Sequence, residues 1–126
     1  MLSLNTKVRI FVCTEPTDMR KSFNGLSAIV THTLGGDPFS GHLFLFTNKR
    51  RNLLKLLFWD SDGFAIWYKR LEQGTFSSSI FETNSSGQVE LTQTQLAMLL
   101  GGVDLVQTKK RKRFQLSKKD SEKIPS

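Results

Sequence analysis

The sequence predicts a single α+β domain: an antiparallel meander sheet of four or five strands, one longer helix packed on it, and a short C-terminal helix. Three patterns carry that expectation. A β-branched run at residues 7–13 alternates Val8, Ile10 and Val12 with Phe11 and Cys13. Three extended segments, 42–47, 53–59 and 64–71, follow one another across turn-length polar separators. Apolar residues at helical spacing occur twice, once before the extended segments and once after them.

Each element has a local reason. Both faces of the first strand are apolar, which marks it as central. Glu15-Pro16-Thr17-Asp18 forms a turn offering Thr17 or Asp18 as N-cap. Met19, Phe23, Leu26, Ile29 or Val30, and Leu34 then follow at the three-and-four spacing of an amphipathic helix, which Gly35-Gly36 ends. The separators Asn48-Lys49-Arg50-Arg51-Asn52 and Asp60-Ser61-Asp62-Gly63 have hairpin length, and their Asn, Asp and Gly accept positive φ. Leu54, Leu56 and Phe58 alternate onto one face of the middle strand. Lys55 interrupts the other between Leu53 and Leu57, so the uninterrupted face is the better core candidate. Residues 73–88, rich in Ser, Thr, Gly and Asn, read as a long loop around a short extended piece at 79–82. After a short strand at 89–91, Thr92 and Gln95 match a capping box, and Leu96, Leu99, Leu100 and Val103 stripe a short helix closing an edge of the sheet.

The 126 residues fit one domain, and the ten Phe and two Trp supply large core side chains. Cys13 is the only cysteine, so no internal disulfide forms and a buried thiol in a reducing compartment is expected. No stretch approaches the eighteen apolar residues that a bilayer span requires, and residues 1–6 carry no leader pattern, so the chain is expected to be cytoplasmic. Of eighteen basic and eleven acidic residues, 109–126 hold eight and two, leaving ten and nine in the rest. The division expected is therefore a nearly neutral domain at 1–108 and a flexible basic tail at 109–126. Lys109, Lys110, Arg111, Lys112 and Arg113 form an arm suited to polyanions; a merely solvated end is the plain alternative.

Within the domain, Lys49, Arg50 and Arg51 fall at a hairpin tip, Lys69 and Arg70 near the end of a later strand, and Arg20 and Lys21 in the first helical turn. Cations at a helix N-terminus oppose its dipole, so a reason beyond helix stability is implied. Together these residues are candidates for phosphate contact, against the simpler reading of turns kept polar. Trp59, Trp67, Tyr68 and Phe64 offer either a base-stacking platform or ordinary core. Asp60 and Asp62, joined by Asp18, are the pair that a metal-dependent nuclease would use, yet Asp-Ser-Asp-Gly is equally a turn sequence. His32 and His42 have no metal-ligand spacing beside them, and no nucleophile elbow or phosphate-binding loop is present. No catalytic residue, metal or cofactor is expected.

The motifs gain meaning from their order. Thr17-Asp18-Met19-Arg20-Lys21-Ser22-Phe23 is followed by Asp37-Pro38-Phe39-Ser40-Gly41-His42-Leu43-Phe44 and Asn48-Lys49-Arg50-Arg51. Then come Leu53-Leu54-Lys55-Leu56-Leu57-Phe58-Trp59-Asp60, Asp62-Gly63-Phe64, Trp67-Tyr68-Lys69-Arg70-Leu71-Glu72, and Gln95-Leu96-Ala97-Met98-Leu99-Leu100. From about residue 8 to 104 this series resembles the TnpB accessory-protein family of insertion-sequence-66 bacterial transposable elements, which shares only a name with an RNA-guided nuclease family. The resemblance implies a non-catalytic protein required beside a separate transposase that carries the catalytic acidic residues. It departs after Gly74-Thr75-Phe76, where Ser77-Ser78-Ser79 replaces an aromatic-proline pair. The partners expected are DNA at the element ends and the transposase, with no membrane. The alternative is an adaptor that docks on the transposase without touching DNA. Strand order and oligomeric state stay open.

Overall fold

The computed structural model describes residues 7–76 and 88–101. Its elements are β1 (Ile10–Cys13), α1 (Phe23–His32), β2 (Leu43–Thr47), β3 (Leu53–Asp60), β4 (Gly63–Arg70), β5 (Gln88–Leu91) and α2 (Gln93–Gly101). The five strands form one sheet in the order β4-β3-β2-β1-β5, so the α+β class holds and β1 is internal. The sheet is mixed, however. β1 pairs with β2 in parallel, Phe11 opposite Phe44, while the other three pairings are antiparallel. The expected all-antiparallel meander fails at that pair because α1 lies between the two strands in sequence. A crossover helix returns the chain to the end of the sheet from which β1 started, and β2 then runs in the same direction.

Both faces of the sheet are core. Ile10, Val12, Leu43, Leu45, Leu54 and Leu56 face α2, joined by its Leu96, Leu99 and Leu100 and by the fully buried Phe76. Cys13, Phe44, Phe46 and Leu57 face Leu26, Val30 and Leu34 of α1. Two expectations are corrected here. The Leu57 side of β3 is as buried as the Leu54 side, because Lys55 turns inward with its ammonium satisfied. The second helix covers the sheet face opposite α1 rather than closing an edge, since its three buried leucines need an apolar sheet beneath them.

α1 begins later than its apolar spacing suggests. The Arg20 amide donates to the Asp18 carboxylate at 2.9 Å, and the Lys21 amide donates to the Asp18 carbonyl at 3.1 Å, closing a turn. The carbonyls of Met19 and Lys21 each accept from Lys55 Nζ at 2.8 Å instead of from a helical amide. Ser22 is therefore the N-cap residue, without a side-chain cap bond, and Thr17 and Asp18 are not. Phe23, expected in the core, is 44% exposed. At the far end Gly35 takes φ +66°, letting the Gly36 amide reach the Val30 carbonyl at 2.9 Å.

The capping box of α2 forms as its residues require: the Gln95 amide donates to Thr92 Oγ1 at 3.0 Å, and Gln95 Oε1 accepts from the Thr92 amide at 2.9 Å. In the hairpins, positive φ falls on Arg51 (59°) and Ser61 (57°) rather than on Asn, Asp or Gly. Asn48 acts through its side chain instead, Oδ1 accepting the amides of Asn52 and Leu53 at 3.1 and 3.0 Å. The extended piece at 79–82, Val103 and the basic tail lie outside the described residues.

Candidate nucleic-acid interface

Strand directions decide where the basic residues go. β1 and β2 end, β3 begins and β4 ends at the same margin of the sheet, because Leu53 lies opposite Arg70 and the Thr17 amide bonds the Thr47 carbonyl at 2.8 Å. The turn bearing Arg20 and Lys21 joins this margin through Lys55. The hairpin bearing Lys49, Arg50 and Arg51 lies at it, and Arg70 ends β4 there. Six of the seven cations expected from the domain thus collect at one end of the sheet, with Glu15, Asp18 and Glu72 as their acidic neighbours.

Their roles differ. Lys21, Lys49 and Arg50 are exposed. Arg20 and Arg70 are exposed too, but hold Asp18 and Glu72 at 2.7 Å each. Surface ion pairs of this kind are worth little. Arg20, first by its guanidinium and then by its amide, pulls the Asp18 carboxyl down from its ordinary 3.8 to about 2. Arg51 is half-buried: Nη1 donates to Thr47 Oγ1 at 2.6 Å and Nη2 to the Thr14 carbonyl at 3.2 Å. Burial lowers its pKa, although a guanidinium stays charged at neutral pH. Arg51 therefore ties the hairpin to the ends of β1 and β2. Lys69 stands apart: its Nζ reaches across the other face to the Leu100 carbonyl at 3.1 Å, near the C-terminus of α2, where a cation suits the helix dipole. Lys109, Lys110, Arg111, Lys112 and Arg113 lie outside the described residues.

Lys55 is the residue that sequence reasoning underrated. It is 8% exposed, with its ammonium on two carbonyls and 4.8 Å from the Tyr68 ring centroid. Its signal was visible as the one cation in an otherwise apolar strand. A lysine that interrupts a core face has to find acceptors, and the neighbouring turn supplies them.

The opposite margin carries Asp37, Asp60 and Asp62 beside an aromatic cluster. The rings of Phe39, Trp59 and Phe64 lie 5.1–5.2 Å apart pairwise, with Phe39 58% exposed. The four aromatics read as one platform are divided. Trp59, Phe64 and Tyr68 share the α1 face, and Trp67 packs beneath α2. Phe39, from the loop after α1, was missed because nothing in its local spacing places it against β3 and β4.

Among the described residues, no group of three or more His, Cys, Asp or Glu is placed to hold a metal ion. His42 Nδ1 accepts the Arg9 amide at 2.9 Å, and His32 is exposed at the end of α1. Burial raises the pKa of Cys13, whose Sγ donates to the Glu15 carbonyl at 3.6 Å, so the thiol stays protonated and unreactive. A cleft of about 450 Å³ opens between Arg9, Leu34, Gly36 and His42, away from the basic margin. Among the described residues no helix is long and apolar enough to cross a membrane.

Comparison with known proteins adds a family. A family model described as IS66 Orf2 like protein matches residues 8–110. The uncharacterized protein y4jC of Sinorhizobium fredii is 33% identical over 111 residues, covering 88% of this chain and 92% of its own. The uncharacterized protein y4hO of the same organism is 34% identical over 104 residues, covering 82% and 88%. No solved structure matches the chain.

Proposed function

The chain belongs to the IS66 Orf2 like family, and on that premise we propose that it serves transposition as a non-catalytic accessory protein, binding DNA through the basic margin of its sheet. The observation that carries the DNA-binding reading is the convergence of Arg20, Lys21, Lys49, Arg50, Arg51 and Arg70 from three separate segments at one end of the fold. Exposed cations around a rigid sheet end can meet successive phosphates without rearrangement. Arg51 and Lys55 hold the turns that present them. The basic tail adds non-specific affinity, and the natural target is DNA at the ends of the element, where a separate transposase acts.

A second reading is favoured by the other margin. A half-buried aromatic cluster topped by the exposed Phe39, with Asp60 and Asp62 in the adjoining turn and Asp37 two residues before Phe39, suits a cationic protein segment, as an adaptor docking on the transposase would require.

Fluorescence anisotropy separates the two, using a terminal-repeat duplex and a shuffled duplex across a salt series, with full-length protein and a chain ending at Thr108. Phosphate contacts from the five exposed margin cations give a log-log salt slope on the order of −5. Lys49→Gln with Arg50→Gln, both exposed, should reduce that slope by about 2 while leaving the fold intact. Arg51 is left unchanged because it holds the hairpin. A slope near zero, or binding that vanishes on removing residues 109–126, overturns DNA binding by the sheet margin and favours the adaptor.

A further inference from the structure

The sheet has two edges of different kinds. β5 is four residues long, and its Glu90 is engaged by Arg9 at 2.6 Å. β4 is eight residues long and pairs with β3 without a bulge from Gly63 to Arg70. Its other side has no strand beside it among the described residues. Such edges are ordinarily protected by a proline, a bulge or a charge in mid-strand. Here the middle of the strand reads Phe64-Ala65-Ile66-Trp67-Tyr68, and Lys69 is directed to α2.

We propose that β4 is a self-association edge, on which a second copy of this chain adds its own β4 antiparallel to form a continuous ten-stranded sheet. The two-fold axis of such a pair stands perpendicular to the sheet and passes through one residue, because a register centred between two residues would put opposite faces on one side. With Ile66 at the axis, Phe64 lies opposite Tyr68 of the second copy and Ala65 opposite Trp67, while Asp62 meets Arg70. These are an aromatic pair, a small-large pair and an opposite-charge pair, the combinations that stabilise antiparallel neighbours. Centring on Trp67 instead sets Ala65 against Lys69 and Phe64 against Arg70, and no charges pair. The strand is thus self-complementary in one register, because its Gly63 end is acidic and its Arg70 end basic. That asymmetry selects a copy of the same chain over an unrelated strand. Asp62 is exposed, and among the described residues the Arg70 guanidinium is engaged by an exposed surface pair with Glu72, so both are available.

The test is sedimentation equilibrium of the full chain over a concentration series, with Asp62→Arg, Arg70→Asp and their equimolar mixture. Wild type should associate to dimers. Each single change makes both charge contacts of its homodimer repulsive and should weaken association on the order of tenfold. The mixture should restore it, because in the mixed dimer both contacts between positions 62 and 70 again join opposite charges. Single changes without effect, or a mixture as weak as its components, overturn the register. In the wild-type chain, amide exchange on residues 64–68 should slow as concentration rises. A chain that stays monomeric, with exchange independent of concentration, overturns the proposal and leaves the edge to a strand of another protein. None of these readings involves DNA, so failure here is distinct from failure of DNA binding.

Discussion

Lys55 occupies a place where Phe46, Leu57 and Phe44 would otherwise make an unbroken apolar surface under α1, and its ammonium bonds the Met19 and Lys21 carbonyls. A methionine there keeps the length of the side chain and removes both charged hydrogen bonds. Lys55→Met should therefore lower the urea midpoint by an amount equivalent to about 1–3 kcal/mol. It should also weaken DNA binding, although no exposed charge has been removed. An unchanged midpoint would show that the 18–21 turn holds itself. The neighbouring carboxylate gives a pH signature. Asp18 titrates at about 2 when paired with Arg20, against an ordinary 3.8. Because the folded value is the lower one, the contribution is complete at neutral pH. It fades only as pH falls from about 4 through about 2. A carboxyl carbon titration by nuclear magnetic resonance should place the Asp18 midpoint near that lower value, and Arg20→Gln should move it upward. A midpoint at the ordinary value in wild type would mean that the pair does not persist in solution.

At the scale of elements, α2 depends on its start. Both capping-box bonds are made, so Thr92→Ala leaves the Gln95 amide without its acceptor and should cost about 1 kcal/mol, read as a lower thermal midpoint without loss of the β5 pairing. Gln95→Ala should cost less, because only the reciprocal bond from the Thr92 amide is lost. The box was legible in sequence because its chemistry is contained in four consecutive residues. The strands were legible for the same reason, each having its own alternation and its own turn. What could not be read locally was any feature decided by a partner distant in sequence. The start of α1 is set by Lys55, thirty-four positions after Lys21. The parallel pairing of β1 with β2 depends on where the helix between them returns the chain, and the aromatic role of Phe39 on a hairpin twenty residues later. For the site, the basic residues were individually visible. Their gathering at one margin, and the structural employment of Arg51 and Lys69, required strand directions that no periodicity supplies.

Among the described residues the sheet is polar along its strands: six cations outnumber Glu15, Asp18 and Glu72 at one margin, and Asp37, Asp60 and Asp62 outnumber Lys7 and Arg9 at the other. Pairing through β4 about a two-fold axis inverts the second copy, so the basic margins of the dimer face opposite ways. Eight residues of strand at about 3.3 Å each put them roughly 26 Å apart along the strand direction alone. That spacing exceeds the diameter of a duplex, and a dimer so built holds two duplexes rather than one. Given both the proposed DNA contact and the proposed pairing, two short duplexes carrying different fluorophores should show energy transfer when the full chain is dimeric. Asp62→Arg separates the two requirements. It leaves every cation of the basic margin in place, so binding to a single duplex should persist or tighten, while the transfer signal should fall with the dimer. Adding an equal amount of Arg70→Asp should bring back part of the signal, because it restores the charge pairs while removing one margin cation from that copy. Transfer that is undiminished in Asp62→Arg alone would place the bridging elsewhere in the chain, with residues 109–126 as the first segment to remove.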